Sequence, residues 1–292
     1  MTVTSPINSS TLSIILPCLN EAQSLQTLLP RLTSCYPNAE IIVVNDGSSD
    51  ESANIALQAG TQVVSHLYSM GNGAAIKTGA RAARGGILVF MDADGQHDPQ
   101  TIEKLLTELA LGHDMVVGAR NADSQASFGR WCANSFYNWL SSWMVGHPIA
   151  DLTSGFRAVK ADKFKEFLFL LPNSFSYPTT ITMAFFRAGY SVSYIPIVAH
   201  KRLGKSHIKW LRDGIRFLMI IFKIGTLYAP LKLFGPLSLG FFGLGLSYYT
   251  YTFVTDGRFT NMGVLLFITS VLIFLIGLVS EQITQLLYSR KS

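Results

Sequence analysis

Two long stretches without a charge constrain this chain more than anything else in it. Leu233–Thr255 runs for 23 residues, and Met262–Ser280 for 19, without Asp, Glu, Lys or Arg. About 20 helical residues cross a hydrocarbon layer of ~30 Å, so either run is long enough to span a membrane. The linker Asp256-Gly-Arg-Phe-Thr-Asn261 is short, which predicts an antiparallel hairpin with both ends on one side. Basic residues before the hairpin and Arg290-Lys291 after it put that side in the cytoplasm by the positive-inside rule. The expectation is a multi-pass membrane protein with its other domain and its C-terminus cytoplasmic. Two buried core helices would share this composition, but a soluble core rarely uses two adjacent runs of such length.

The chain as a whole is 49% hydrophobic and 14% charged, against roughly 25% charged in a typical soluble domain. The deficit comes from the C-terminal end, and residues 1–206 read as an ordinary soluble domain. Lys201, Arg202, Lys205, Lys209, Arg212 and Arg216 gather against one acid, Asp213. Beside an apolar segment such a cluster faces lipid phosphates. No nucleic-acid reader motif accompanies it or the net charge of +5, so no nucleic acid is expected as a partner. Ile208, Leu211, Ile215, Leu218 and Phe222 recur at helical spacing, with Lys209, Arg212, Arg216 and Lys223 on a neighbouring stripe. That pattern suits a helix lying in the membrane interface, although an amphipathic core helix would share it. The expected division is a catalytic domain over 1–206, a juxtamembrane segment over 207–230, and a hairpin with a short tail over 231–292. The spans fall at about 233–255 and 262–280. Cys18, Cys35 and Cys132 lack the spacing of a zinc site or disulfide framework and read as reduced thiols. The apolar run Leu12–Leu16 is too short for a leader and ends at Pro17.

The first half alternates short β-branched runs with helical patterns. Strands are expected at Leu12–Leu16, Ile41–Asn45, Gln62–Ser65, Ile87–Met91 and Met115–Val117. Helices are expected at about Glu21–Ser34, Asp50–Ala59, Ala74–Arg84 and Pro99–Leu111. Such alternation implies an α/β fold, a mostly parallel sheet with helices on both faces. Ligands bind such sheets beyond the carboxyl ends of the strands. Three strand ends carry polar residues there: Asn20-Glu21, Asn45-Asp46-Gly-Ser-Ser-Asp50, and Asp92-Ala-Asp94-Gly-Gln96.

Asp92 and Asp94 would repel each other unless a cation or donor sits between them, and a divalent metal takes such hard oxygen ligands. Gln96 adds a neutral oxygen. An Asp-x-Asp pair can also be a helix cap, but Asp98-Pro99 suits that role better. Asp46 reads as free to accept hydrogen bonds from a base or ribose, with Ser49 or Asp50 capping the next helix. Asn20 is both a plausible cap and a plausible nucleotide contact. Gly71-Asn-Gly73-Ala-Ala-Ile-Lys77-Thr-Gly79 completes neither a Walker loop nor a dinucleotide fingerprint. Lys77 would reach phosphate, or the small residues would serve helix–sheet packing.

Taken in order, Leu-Pro-x-x-Asn-Glu, Asn-Asp-Gly-Ser-Ser-Asp, the Gly-rich run to Gly79, and Asp-Ala-Asp-Gly-Gln-His-Asp-Pro resemble family 2 glycosyltransferases of the GT-A fold. Asp151-Leu-Thr-Ser-Gly-Phe-Arg157 and Arg202-Leu-Gly-Lys205-Ser206 resemble the dolichyl- and polyprenyl-phosphate mannose or glucose synthase branch. The resemblance covers about 12–210, and the hairpin agrees with two-helix members. It implies a nucleotide-sugar donor, a polyprenyl phosphate acceptor, and Mg²⁺ or Mn²⁺ held by Asp92, Asp94 and Gln96. Pro17, Asn20, Glu21 and Asp46, with Lys77, Asp92 and Asp94, would bind the donor. Arg120, Arg130, Arg202, Lys205 and Ser206 would meet phosphates, and Asp94, Asp151 and Arg157 would serve the reaction itself. Two departures stand out: Leu203 replaces a second glycine, and no acidic residue occurs in Thr179–Thr182.

The reaction so implied is an inverting displacement by a phosphate oxygen, which needs no strong base. Transfer to a hydroxyl would need one, and Asp151 is the candidate. It would equally hydrogen-bond Arg157 or an acceptor group. A non-catalytic membrane-anchored homologue is a further alternative. Assembly into a homo-oligomer through the hairpin also stays open.

Overall fold

The computed structural model describes residues 12–120, 128–173, 176–198, 222–223 and 225–289, with side chains for all of these except 128–134, 136 and 287–289. The interfacial helix expected from Ile208 onward lies almost wholly outside the described residues. So do Arg202, Lys205 and Ser206. The chain divides into two compact units, residues 1–143 with 147–207 and residues 144–146 with 208–292.

In the first unit the expected alternation is present. β1 (Leu12–Cys18), α1 (Ala22–Cys35), β2 (Glu40–Asn45), α2 (Ser52–Gln58), β3 (Gln62–Ser65), α3 (Asn72–Ala82), β4 (Ile87–Phe90), α4 (Thr101–Ala110) and β5 (Met115–Arg120) follow one another. Every residue from Leu12 to Leu16 is buried, as a strand covered on both faces requires. Leu25, Leu28, Leu29 and Leu32 of α1 recur at helical spacing and join the same core. Asp98, expected as the cap of α4, accepts the Gln100 N–H at 3.1 Å just ahead of the helix, whose N-cap is Gln100 and whose first regular residue is Thr101.

Beyond β5 come α5 (Phe128–Val145), β6 (Arg157–Lys160), α6 (Ala161–Lys165), α7 (Tyr177–Arg187) and β7 (Val192–Ile197). The seven strands form one sheet in the order β3-β2-β1-β4-β6-β5-β7. β6 runs antiparallel between β4 and β5, and the remaining pairs are parallel. The carboxyl ends of β2, β1 and β4 therefore sit side by side.

Pro17 ends one of these pairings. The Ile15 carbonyl accepts the Met91 N–H at 3.1 Å, so that side of Ile15 faces β4. Two residues on, the same side presents a proline, which has no N–H to continue the ladder. Pairing stops at Ile15↔Phe90, and the chain leaves the sheet just before Asp92.

The second unit contains α8 (Pro230–Asp256) and α9 (Asn261–Ser289). Gly257, at φ +61°, closes α8 by donating its N–H to the Phe253 carbonyl at 3.1 Å. The two helices meet at three levels. Ser238 and Ser270 exchange hydroxyl-to-carbonyl hydrogen bonds, each 2.9 Å. Gly245 faces Leu266 and Phe267, and Gly277 lies against Phe234. Small residues and hydroxyls that let backbones approach are the usual means of pairing helices in lipid. Among the described residues one helix is long and apolar enough to span, over Asn261–Leu286. Tyrosines, glycines and hydroxyl residues dilute α8 below that standard. On composition alone, then, the first expected span is weaker than its charge-free length suggests.

Gly79 shows how closely α3 packs on the sheet. A Cβ there would lie 2.3 Å from Ile15 Cγ2 and 3.1 Å from Val44 Cγ2. For this glycine, packing is the better-supported of the two readings of the Gly-rich run. Gly79→Ala is expected to destabilise the domain by about 1–3 kcal/mol, the usual cost of overpacking. A thermal or urea melt of the full chain in detergent measures this, and an unchanged midpoint would contradict the close approach.

Candidate active site

The loops after β1 and β2 are stitched to each other. Asn20, at φ +57°, accepts the Ser49 N–H on Oδ1 at 2.8 Å and donates its own N–H to Ser48 Oγ at 3.0 Å. Asparagine tolerates this left-handed conformation better than most residues. The N-cap of α1 is Glu21, not Asn20. Donors at this helix start are satisfied from the neighbouring loop: Glu21 N–H by Ser52 Oγ at 2.9 Å and Ala22 N–H by Asp50 Oδ2 at 3.1 Å. Asp50 also accepts the Ser52 N–H at 3.0 Å, so one carboxylate serves the starts of α1 and α2.

The sequence reading expects Asp46 to be free for a base or ribose, whereas in the structure both of its oxygens already have protein partners. Its Oδ1 receives the Met70 N–H at 2.8 Å and meets His66 Nδ1 at 2.7 Å. Its Oδ2 receives the Gly71 N–H and the Ser69 hydroxyl, at 2.8 and 2.9 Å. Burial works to raise this carboxyl, but the hydrogen bonds, led by His66, hold it below the ordinary range. The physical reason for the difference is that Asp46 organises the 66–71 segment. His66 Nε2 continues the chain to Thr78 Oγ1 at 2.9 Å. Lys77 is likewise occupied, donating to the Leu171 carbonyl at 3.0 Å and to Asn173 Oδ1.

Asp92 and Asp94 follow β4 and are both partly buried. Asp94 Oδ1 accepts the Gln96 N–H at 3.1 Å, a tight turn that brings these two metal candidates together. His97 is buried and stacks on Phe156, with ring centroids 4.7 Å apart. By donor type, two carboxylates and an amide carbonyl would suit Mg²⁺ or Mn²⁺.

Facing Asp92 is the Asp151–Arg157 segment. Gly155 lies against it, since a Cβ there would be 3.4 Å from Asp92 Oδ2. Asp151 receives Arg120 Nε at 2.8 Å and Nη2 at 3.2 Å, and also the Thr153 and Ser154 N–H groups at 3.0 and 3.1 Å. Burial works to raise this carboxyl, but Arg120, together with the Thr153 hydrogen bonds, leaves it below the usual range. The sequence reading leaves Asp151 open between a base, a bond to Arg157 and an acceptor contact. The structure pairs it with Arg120.

Arg157 is instead wholly buried. It donates to the Pro178 carbonyl at 3.3 Å, to Thr182 Oγ1 at 3.2 Å and to the Ser154 carbonyl, with Tyr177 under its guanidinium at 5.9 Å. The sequence reading expects Arg157 among the reacting residues; in the structure its guanidinium is buried on these acceptors. Thr182 thus accepts from this arginine in the stretch where no acid occurs. Arg130 falls in α5, but its side chain is outside the described set.

The profile described as "Glycosyl transferase family 2" matches residues 13–168, more than half of the chain and all three loops. The chain belongs to that family. A second profile, "GtrB C-terminal hairpin", matches residues 229–286. Undecaprenyl-phosphate 4-deoxy-4-formamido-L-arabinose transferase of Pseudomonas fluorescens is 28% identical over 92% of this chain and 84% of its own. Undecaprenyl-phosphate mannosyltransferase of Micrococcus luteus is 30% identical over 66% of this chain and 85% of its own. Glucosyl-3-phosphoglycerate synthase of Mycobacterium tuberculosis, solved with Mn²⁺, UDP and phosphoglyceric acid, has a TM-score of 0.59 at 21% identity. That superposition covers 72% of this chain and 76% of that one. The fold is therefore GT-A, and the protein is a membrane-associated glycosyltransferase.

Gly155, Tyr177 and Thr182 escaped the sequence reading, because their value lies in what they leave room for or hold. Replacing Arg157 with Met removes the donor that serves the buried Ser154 carbonyl, at about 1–3 kcal/mol for a buried group left unsatisfied, while Thr182 Oγ1 and the Pro178 carbonyl keep their own bond at 2.8 Å. The expected result is a clear drop in the thermal midpoint of the full chain, only partly restored by Arg157→Lys. A melt unchanged in both variants would contradict the clamp.

Proposed function

We propose that this glycosyltransferase moves a hexose from a nucleotide sugar, of the UDP-glucose or GDP-mannose type, onto a polyprenyl phosphate, with Mg²⁺ or Mn²⁺. The observation that carries this reading is the oxygen set of Asp92, Asp94 and Gln96 at the end of β4, beside the joined loops of β1 and β2. The undecaprenyl-phosphate substrates in the names of both bacterial relatives support the acceptor. The Mn²⁺ and UDP of the mycobacterial structure support the metal. The working division is residues 1–206 for catalysis, 207–230 at the interface, and 231–292 as two spans with a cytoplasmic tail.

Bound there, the metal supplies positive charge where the departing diphosphate becomes more negative. Pro17, Asn20 and Glu21 line the nucleoside side, and Asp46 acts through the 66–71 segment that it organises. Arg120, Arg130, Arg202, Lys205 and Ser206 meet phosphates of donor or acceptor. The displacement is in line and inverts the anomeric carbon, giving a β-linked lipid-phosphate sugar.

The state of Asp151 favours a phosphate acceptor over a hydroxyl. A general base works best with a pKa near the operating pH, whereas Arg120 keeps this carboxyl low. A phosphate monoester, with a second pKa of about 6, is already largely a dianion at neutral pH and needs no base.

A panel of UDP-glucose, GDP-mannose and UDP-N-acetylhexosamine, offered with undecaprenyl and dolichyl phosphate, tests the proposal. The expected product extracts into organic solvent and is labile to mild acid. Asp94→Ala should lower its formation by roughly 10²-fold or more, on the scale of losing one transition-state contact. Retained turnover would remove Asp94 from the metal site. The rate should also fall as pH drops through about 6, where the acceptor takes up a proton. A flat profile from pH 5 to 8 would count against the phosphate nucleophile.

A further inference from the structure

His66 belongs to none of the motifs read from the sequence, yet both of its ring nitrogens are bonded inside the fold. Nδ1 lies 2.7 Å from Asp46 Oδ1, and Nε2 lies 2.9 Å from Thr78 Oγ1. The His66 and Asp46 side chains are only 9% and 5% exposed. An ionised carboxylate accepts and never donates, so Nδ1 must carry the proton of this bond whatever the charge of the ring. The backbone adds a third tie, because His66 donates its N–H to the Asn45 carbonyl at 2.9 Å.

The other partners of the Asp46 carboxylate are Ser69, Met70 and Gly71, which are themselves the residues being held. His66 is the partner anchored elsewhere, and its anchors are firm. Asn45 ends β2. Thr78 precedes Gly79, where α3 lies so close to Ile15 that a Cβ would not fit.

The segment fixed in this way lies over the loop after β2. A Cβ on Gly47 would come within 2.8 Å of the Ser69 nitrogen and the Tyr68 carbonyl carbon. That loop is the one joined to Asn20. Backbone following β1, β2 and β3 therefore meets at the carboxyl edge of the sheet, where folds of this kind bind their ligands. There the segment presents Leu67, Tyr68 and Met70 to solvent and leads directly into α3.

We propose that His66 is a positioning residue for the nucleotide: its Nδ1–H aims the Asp46 carboxylate, which holds residues 69–71 against the Asn45–Asp50 loop before any donor arrives. The proposal rests on the transferase reading above. A wall formed in advance spares binding the cost of ordering a loose loop.

Calorimetric titration of UDP and of GDP, each with Mn²⁺, into the purified full chain in detergent tests this. His66→Leu should weaken the better-bound nucleotide by about tenfold or more, the worth of one hydrogen bond to a charged group. His66→Asn, whose amide N–H stands near the Nδ1 position, should recover most of that loss. Thr78→Val leaves the Asp46 bond in place and should cost less than His66→Leu. The KM for the lipid phosphate should not move with these changes; a rise in step would mark a general loosening and overturn the proposal. Unweakened binding by His66→Leu, or no recovery by His66→Asn, would overturn it alone. Failure of the unaltered chain to bind either nucleotide would overturn it together with the reading beneath it. Hydrogen exchange covers variants that do not fold. In the unaltered chain without nucleotide, the Met70 and Gly71 amides should be protected, and exchange as fast as in an unfolded peptide would sink the idea.

Discussion

Parallel pairing of β1 with both β2 and β4 is the constraint on which the rest of the catalytic domain depends. Parallel neighbours present their carboxyl ends at the same edge, so three loops of unrelated sequence must emerge together. Once there, the loops after β1 and β2 bond to each other. Asn20 holds the second loop, and Asp50 reaches back to the first helix. Pro17 contributes by omission. The hydrogen bond that it cannot make coincides with the point where β4 stops and the Asp92 loop begins.

Two buried ions near that edge are handled in opposite ways. Asp151 has a guanidinium partner as well as backbone donors. Arg157 has neutral oxygens, the Met115 sulfur and an aromatic face, and its Nε makes no hydrogen bond among the described residues. Burial lowers the pKa of this arginine, yet so strong a base stays charged in a protein. Neutral acceptors fix its position without fixing the nearby carboxylates. Asp151 can then pair with Arg120, and Asp92 keeps its place against Gly155.

The strands up to β5 were legible because each is a short β-branched run between turn residues. The helices were legible from their leucine spacing. β6 was not, since it is four residues long, begins with an arginine and ends with a lysine. Only the sheet around it shows that Arg157 is core. α7 was equally opaque: Thr179, Thr180 and Thr182 are buried beside Ile181 and Met183, so no polar face marks the helix. At the site, the sequence placed the carboxylates after strand ends but could not say what occupies them. The partners of Asp46 stand 20 to 25 residues away, and Arg120 stands 31 from Asp151. Such distances follow from topology, which a motif does not carry.

The seam between α8 and α9 has a mechanical consequence. Reciprocal serine bonds at its middle and glycines on either side set one axial alignment. Sliding one helix past the other by a turn of about 5.4 Å would strand both hydroxyls and drive a Phe ring against a backbone now shielded by a side chain. The pair should therefore move as one rod, with no opening between its halves.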